Sequence, residues 1–230
     1  MMPLLLVPGY MLDETLWDAL RPALAQSELM HVPLAGGATI AGMARAALAA
    51  APAGRFDLLG FSMGGYVARE MARMAPECVR SLILVATSSR ADTPLQISQR
   101  QAAAKANPLG PFRGLGRAAI IHSLHPAHAA DTALIDRVRT MGERLGREAF
   151  IGQSMIVRDS DAGQLAAIQC PSLVIAAAQD QMRSAEEARE LAAGIPDAKL
   201  EVIEDAGHMI PLEQPERLAQ LVADWLAAQR

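Results

Sequence analysis

The sharpest chemical signal in this chain is Gly60-Phe61-Ser62-Met63-Gly64, with a further glycine at position 65. A serine hydroxyl is a weak nucleophile at neutral pH and works only when a neighbouring base takes its proton. Glycines at these spacings suit a serine carried on a strained strand-to-helix turn, where a Cβ on either neighbour would block the backbone. The bland alternative is a glycine-rich helix start. Context favours the turn, because the apolar run Phe56 to Gly60 leads straight into Ser62 and a helical run, Tyr66 to Ala75, follows it.

Among the five histidines, His208 is the candidate base. It lies in Glu204-Asp205-Ala206-Gly207-His208-Met209, just after the last strand-like run, at the strand end where open α/β sheets carry their sites. His31 sits in a strand-like run and is read as structural. His122, His125 and His128 recur every three residues, a spacing that metal ligands on one helix face can use. Pro126 interrupts that helix and no cysteine or acidic cluster joins the trio, so they are read as exposed or pocket-lining, and no metal or cofactor is assigned. For the acid that orients the base, Asp180 follows the run Ser172 to Ala177 on the same sheet edge. Asp205 is the weaker rival, since it shares one short loop with His208 and both side chains would have to face inward. An oxyanion needs two backbone N–H donors. Met63, after the serine, and Tyr10, in the loop Pro8-Gly9-Tyr10-Met11, are the candidates. A histidine base must be neutral to accept a proton, and an unperturbed one titrates near ~6.5, so activity is expected to rise around neutrality.

These residues need a sheet to hold them. Leu4 to Val7, Met30 to Leu34, Phe56 to Gly60, Ser81 to Ala86, Ser172 to Ala177 and Leu200 to Ile203 are Leu/Ile/Val-rich runs without alternation, as in strands buried on both faces. Helices alternate with them. Thr39 can cap a helix to about Ala51. Ser184 with Glu187 forms a capping box, and Leu218, Leu221, Val222, Trp225 and Leu226 make one apolar stripe. Strand–helix alternation predicts an α/β fold. From 91 to 158 there is no strand pattern, only helical segments broken by Pro108-Leu109-Gly110-Pro111, Gly114 and Pro126. That stretch is read as a helical cap insertion, with 1–90 and 159–230 as the core.

Composition narrows the function classes. The net charge of −4 has no basic block, which argues against nucleic-acid binding. The first residues lack a basic segment and a cleavage site, and no apolar run approaches the roughly 20 residues of a membrane helix, so a soluble cytoplasmic protein without a membrane partner is expected. Cys78 and Cys170 are too few for a disulfide framework or a thiolate metal site and are read as small apolar residues.

The segments LLLVPGY at 4–10, GFSMGG at 60–65, CPSLVIAAAQD at 170–180 and EDAGHMIPLEQPE at 204–216 resemble the α/β-hydrolase superfamily, in its branch of small esterases, lactonases and cofactor-free haloperoxidase-like enzymes. The resemblance covers most of the chain and implies a Ser-His-Asp triad, carried onto Ser62, His208 and Asp180 in the chain order Ser, Asp, His. It also implies a cap over the site and six parallel strands, the Leu4 strand lying between those at Met30 and Phe56. The chain departs from many members in having Pro8-Gly9 where they have His-Gly, and in lacking the two N-terminal strands common among them.

The expected activity is therefore a serine hydrolase cleaving carboxylic esters of small substrates through an acyl-enzyme. The alternatives are a lactonase or carbon–carbon bond hydrolase acting on a small acidic metabolite, or a non-catalytic ligand-binding member. The expected partner is a small-molecule ester or lactone. Candidate substrate contacts are Met11, Trp17, Phe112, Leu124 and Met209, from a wider, mostly aliphatic and Met-rich set: Met63, Pro111, Leu115, Ile120, Ile121, Met141, Phe150 and Met155. Arg113, Arg117, Arg137 and Arg139 could meet a substrate carboxylate but are read first as exposed cap residues.

Overall fold

In the computed structural model, which describes residues 1–35, 37–106 and 110–229, six strands run parallel in one sheet. They are β1 (Met2–Val7), β2 (Ser27–His31), β3 (Phe56–Phe61), β4 (Val79–Val85), β5 (Ser172–Ala177) and β6 (Lys199–Ile203), in the order β2-β1-β3-β4-β5-β6. The expected position of the Leu4 strand holds. Alternation along β1 divides the core into two layers. Leu4 and Leu6 pack on the side that carries Trp17, Trp225 and Leu226, while Leu5 and Val7 face the layer of Met43, Val67 and Leu191. β3 and β5 are buried throughout, which explains why their sequences show no polar alternation.

The second strand is a correction: it spans Ser27–His31 and not Met30 to Leu34. Apolar content pointed to the later segment, but Pro33 has no N–H to give a ladder, and the last bond on this side runs from Val32 N to Leu6 O at 3.0 Å. As an edge strand, Ser27–His31 is only partly buried and so carries no strong apolar signature.

The helices begin where their caps predicted. α1 (Ile40–Ala50) follows Thr39, whose Oγ1 accepts from Gly42 N at 3.0 Å. α2 (Met63–Met74) follows Ser62. Between β4 and β5 the described chain forms α3 (Pro94–Lys105), α4 (Arg117–Ser123) and α5 (Thr132–Met155), the last kinked at Gly146, where φ is 82°. Pro108 and Leu109 of the expected break lie outside the described residues. α6 (Ala185–Gly194) has the Ser184/Glu187 capping box, and α7 (Ile210–Glu213) and α8 (Pro215–Ala228) close the fold. Cys78 and Cys170 are free and half-buried. Among the described residues no helix is long and apolar enough to cross a membrane.

Candidate active site

Because all strands are parallel, the loops after β1, β3, β5 and β6 emerge on one edge of the sheet. Those loops carry Tyr10, Ser62, Asp180 and His208. Ser62 turns the chain from β3 into α2 with φ 52° and ψ −115°, a conformation that costs a non-glycine residue energy and is held by its surroundings. Ser62 N donates to Val85 O at 2.9 Å, and Thr87 Oγ1 donates to Ser62 O at 2.7 Å. Gly64 is required by close approach: a Cβ there would lie 2.3 Å from Pro8 O and 2.4 Å from Val7 O. Gly60 is pressed in the same way against Gly64 O, at 2.6 Å.

The three expected side chains meet. His208 Nε2 lies 2.8 Å from Ser62 Oγ, and His208 Nδ1 lies 2.7 Å from Asp180 Oδ2. A carboxylate can only accept, so Nδ1 carries the ring proton and donates to Asp180, leaving Nε2 to accept from the serine hydroxyl. Asp180 is itself fixed. Its Oδ1 accepts from Met182 N at 2.7 Å and Arg183 N at 2.9 Å. The Phe61 ring packs 5.3 Å from the His208 ring and limits its tilt. Asp205, the rival acid, is exposed in the turn before His208.

Met63 N–H opens α2, where a helix leaves its first N–H groups without intrahelical partners. Among the described residues Tyr10 N–H likewise has no protein acceptor. The next amide, Met11 N–H, is taken: it donates to Gln153 Oε1 at 2.8 Å, while Gln153 Nε2 donates to Leu34 O at 3.2 Å. Met11 sits at φ 56°. Tyr10 Oη and Ser154 Oγ are 2.6 Å apart. The end of α5 thus clamps the loop after β1, a role the sequence reading missed because 142 residues separate Gln153 from Met11. Glu213 was missed too. Its buried carboxylate accepts from Gly207 N at 3.0 Å, His125 N at 2.6 Å and His128 Nδ1 at 2.9 Å, tying the His208 loop to the turn after α4. The signal available was a lone acid in the apolar run Met209 to Leu212 and Glu213.

A cavity of about 350 Å³ opens at Ser62, lined in part by Tyr10, Met63, Gln96, Gln99, Arg100, His122, Gln153, Arg158, Gln181 and Arg183. Ala119, Ile156 and Met182 complete the lining, so Met63 of the expected apolar set reaches it and five other candidates do not. Met11, Trp17, Phe112, Leu124 and Met209 do not line it. Trp17 is fully buried with its ring edge-on to Phe61, Leu124 and Met209 join the core beneath the sheet edge, and Phe112 and Met11 pack with Phe150. The apolar stripe of α5, with Ile135, Val138 and Met141, is consumed in docking on the core, so what α5 gives the cavity is Gln153. The arginines lie on the cap surface as first read: Arg113, Arg117 and Arg137 are exposed, Arg137 donating to Thr15 O, and the half-buried Arg139 pairs with Asp136. Of the three clustered histidines only His122 reaches the cavity. His125 Nδ1 accepts from Ala127 N and His128 holds Glu213, their rings packed edge-on 5.9 Å apart outside the cavity lining.

Residues 36–215 match the family model described as alpha/beta hydrolase fold. The chain belongs to the α/β-hydrolase family. A pimeloyl-[acyl-carrier protein] methyl ester esterase from Aromatoleum aromaticum is 29% identical over 247 residues, covering 96% of each chain. A thermophilic esterase from Thermogutta terrifontis, solved with malate bound, is 31% identical with TM-score 0.86, covering 100% of this chain and 90% of its own. The enol-lactonase from Burkholderia xenovorans LB400 has TM-score 0.85 at 19% identity, covering 99% of this chain and 92% of its own, and shows the shared fold. This α/β-hydrolase is thus an enzyme whose relatives act as hydrolases.

Proposed function

We propose that this α/β-hydrolase cleaves carboxylic esters of small substrates through an acyl-enzyme on Ser62. The observation that carries the reading is the hydrogen-bonded chain Ser62–His208–Asp180 at 2.8 and 2.7 Å, on the edge where Tyr10 and Met63 present free N–H groups. Ser62 Oγ attacks the ester carbonyl as His208 Nε2 takes its proton, and Tyr10 and Met63 N–H groups stabilise the oxyanion. Collapse breaks the acyl C–O bond, and His208 returns the proton to the departing alcohol. Water then attacks the acyl carbon, passing its proton to His208, and Ser62 is released with its proton restored as the free acid leaves. Asp180 holds the imidazole in the required tautomer throughout.

The helices of 91–158 act as the cap: Gln153 and Ser154 lock the oxyanion loop, and α3 and α4 supply part of the cavity wall. A cavity of about 350 Å³ is at the small end of ligand pockets, which supports a small substrate. The esterases among the relatives support the reaction class.

The test combines labelling and kinetics. A fluorophosphonate probe should label Ser62 in the folded protein, and short p-nitrophenyl acyl esters should be turned over, with kcat/KM falling as the acyl chain outgrows the cavity. Ser62→Ala and His208→Ala should each lower kcat by roughly 10⁶. Near-wild-type turnover in Ser62→Ala would sink the assignment. A labelling-inert Ser62 in folded protein would favour a ligand-binding role instead.

A further inference from the structure

Arginine side chains line the cavity beside Ser62, and the protein does not meet all of their donors. Three guanidinium groups line it: Arg100 from α3, Arg158 from the segment entering β5, and Arg183 from the loop after β5. Among the described residues no acidic one lines it. Behind the wall, the buried Asp92 carboxylate holds both Arg100, at 2.6 Å, and Arg158. Among the described residues the Arg183 guanidinium pairs with Glu187 alone, at 3.4 Å, longer than the 2.7–2.9 Å of a strong charge-assisted bond. Its other oxygen is already engaged by Ser184 N at 2.7 Å. Of the three guanidiniums, Arg183 is the group with the weakest side-chain claim on a partner.

Arg183 is also buried. Its side chain is 9% exposed, and among the described residues its Nε–H and Nη2 donors have no protein acceptor. Those donors open onto the cavity, where a ligand can meet them. Burial pushes the Arg158 guanidinium below its ordinary value, and the neighbouring Arg183 charge pushes the same way, so the two cations crowd one another. A planar monoanion with two acceptor oxygens would answer both, because a guanidinium fork matches a carboxylate in geometry. The backbone of the same residue holds Asp180, so Arg183 belongs to the loop that carries the proposed acid of the site.

We propose that the natural substrate carries a carboxylate in addition to its scissile ester, and that Arg183, flanked by Arg158, selects for it. This rests on the ester-hydrolase reading above, and narrows it to half-esters of short dicarboxylic acids or compounds of that charge pattern. The cavity volume suits a substrate of that size.

The experiment compares monomethyl with dimethyl esters of succinate and glutarate, following acid release, with fluorophosphonate labelling of Ser62 as the parallel check. In the wild type, kcat/KM for the monoester should exceed that for the diester by about 10- to 100-fold, the worth of a hydrogen bond to a charged group. In Arg183→Gln that ratio should fall below about threefold, chiefly through KM, with Arg183→Lys keeping part of it. Should Arg183→Gln fail to fold, the wild type alone still decides: glutarate should compete with a neutral ester and uncharged glutaramide should not. A ratio near one, or equal inhibition by both compounds, with Ser62 labelled and the diester turned over, overturns the carboxylate selection and leaves the hydrolase reading standing. No labelling and no turnover of either ester overturns both.

Discussion

Gln153 is the residue whose replacement tests the site most directly, because it touches neither the proposed nucleophile nor the base. It is 4% exposed and spends both ends of its amide on the backbone, accepting from Met11 N–H at 2.8 Å and donating to Leu34 O at 3.2 Å. Gln153→Leu keeps the bulk and removes both bonds. A buried N–H and a buried C=O lose their partners, at about 1–3 kcal/mol each. Met11 at φ 56° is strained by roughly 1–2 kcal/mol, which rewards relaxation once the clamp is gone. The loop therefore has a few kcal/mol of incentive to move, and Tyr10 N–H moves with it. Losing one oxyanion donor lowers kcat by roughly 10²–10³. Steady-state kinetics on a short neutral ester should show that loss mainly in kcat, with unfolding in urea showing about 2–4 kcal/mol of destabilisation. Gln153→Glu, which keeps an acceptor for Met11 N–H, should recover much of the kcat. A folded Gln153→Leu enzyme with kcat within threefold of wild type would refute the reasoning.

Three further outcomes follow from the same geometry. Asp180→Asn should lower kcat by about 10⁴, since an amide cannot hold the imidazole as the carboxylate does; a loss under tenfold in single-turnover acylation would remove Asp180 from its role. Gly64→Ala would place a Cβ 2.3 Å from Pro8 O, so the β1 loop and α2 must part, and denaturant titration should show destabilisation at or beyond the roughly 3 kcal/mol upper end of overpacking. Burial pushes the Asp92 carboxyl up, but bonds from Arg158 and Arg100 outweigh it and bring it from 3.8 to about 2. A folded-state value below the unfolded one means that this stability is complete above about pH 4 and is lost as pH falls towards 2. Thermal unfolding across pH 5 to 2 should show that slope, and Asp92→Asn should flatten it while costing roughly 3–5 kcal/mol at neutral pH; an unchanged slope in the variant would count against it.

Much of this enzyme was legible in residue order because its governing physics is local. A strand run meeting Gly60-Phe61-Ser62-Met63-Gly64 dictates a tight turn into a helix, since few other residues fit between Pro8 O and the helix backbone. Thr39 and Ser184 cap the helices they precede for a reason confined to one turn. The meeting of Ser62, Asp180 and His208 followed from parallel strands delivering successive loops to one edge. The Met30 to Leu34 strand failed because hydrogen-bonding partners and edge position, not apolar content, set where an exposed strand stops.

The cavity wall could not be read in this way. Which face of α5 docks on the core is decided by packing in the Trp17 layer, and that choice turned Ile135, Val138 and Met141 inward and left Gln153 to line the site. Gln153 with Met11, Glu213 with His125 and Arg158 with Asp92 are partners separated by 66 to 142 residues. Their pairing depends on the angles at which helices settle, a collective result of burial that no short window of sequence contains. Local chemistry thus named the proposed nucleophile, base and acid, while tertiary packing alone decided what stands around them.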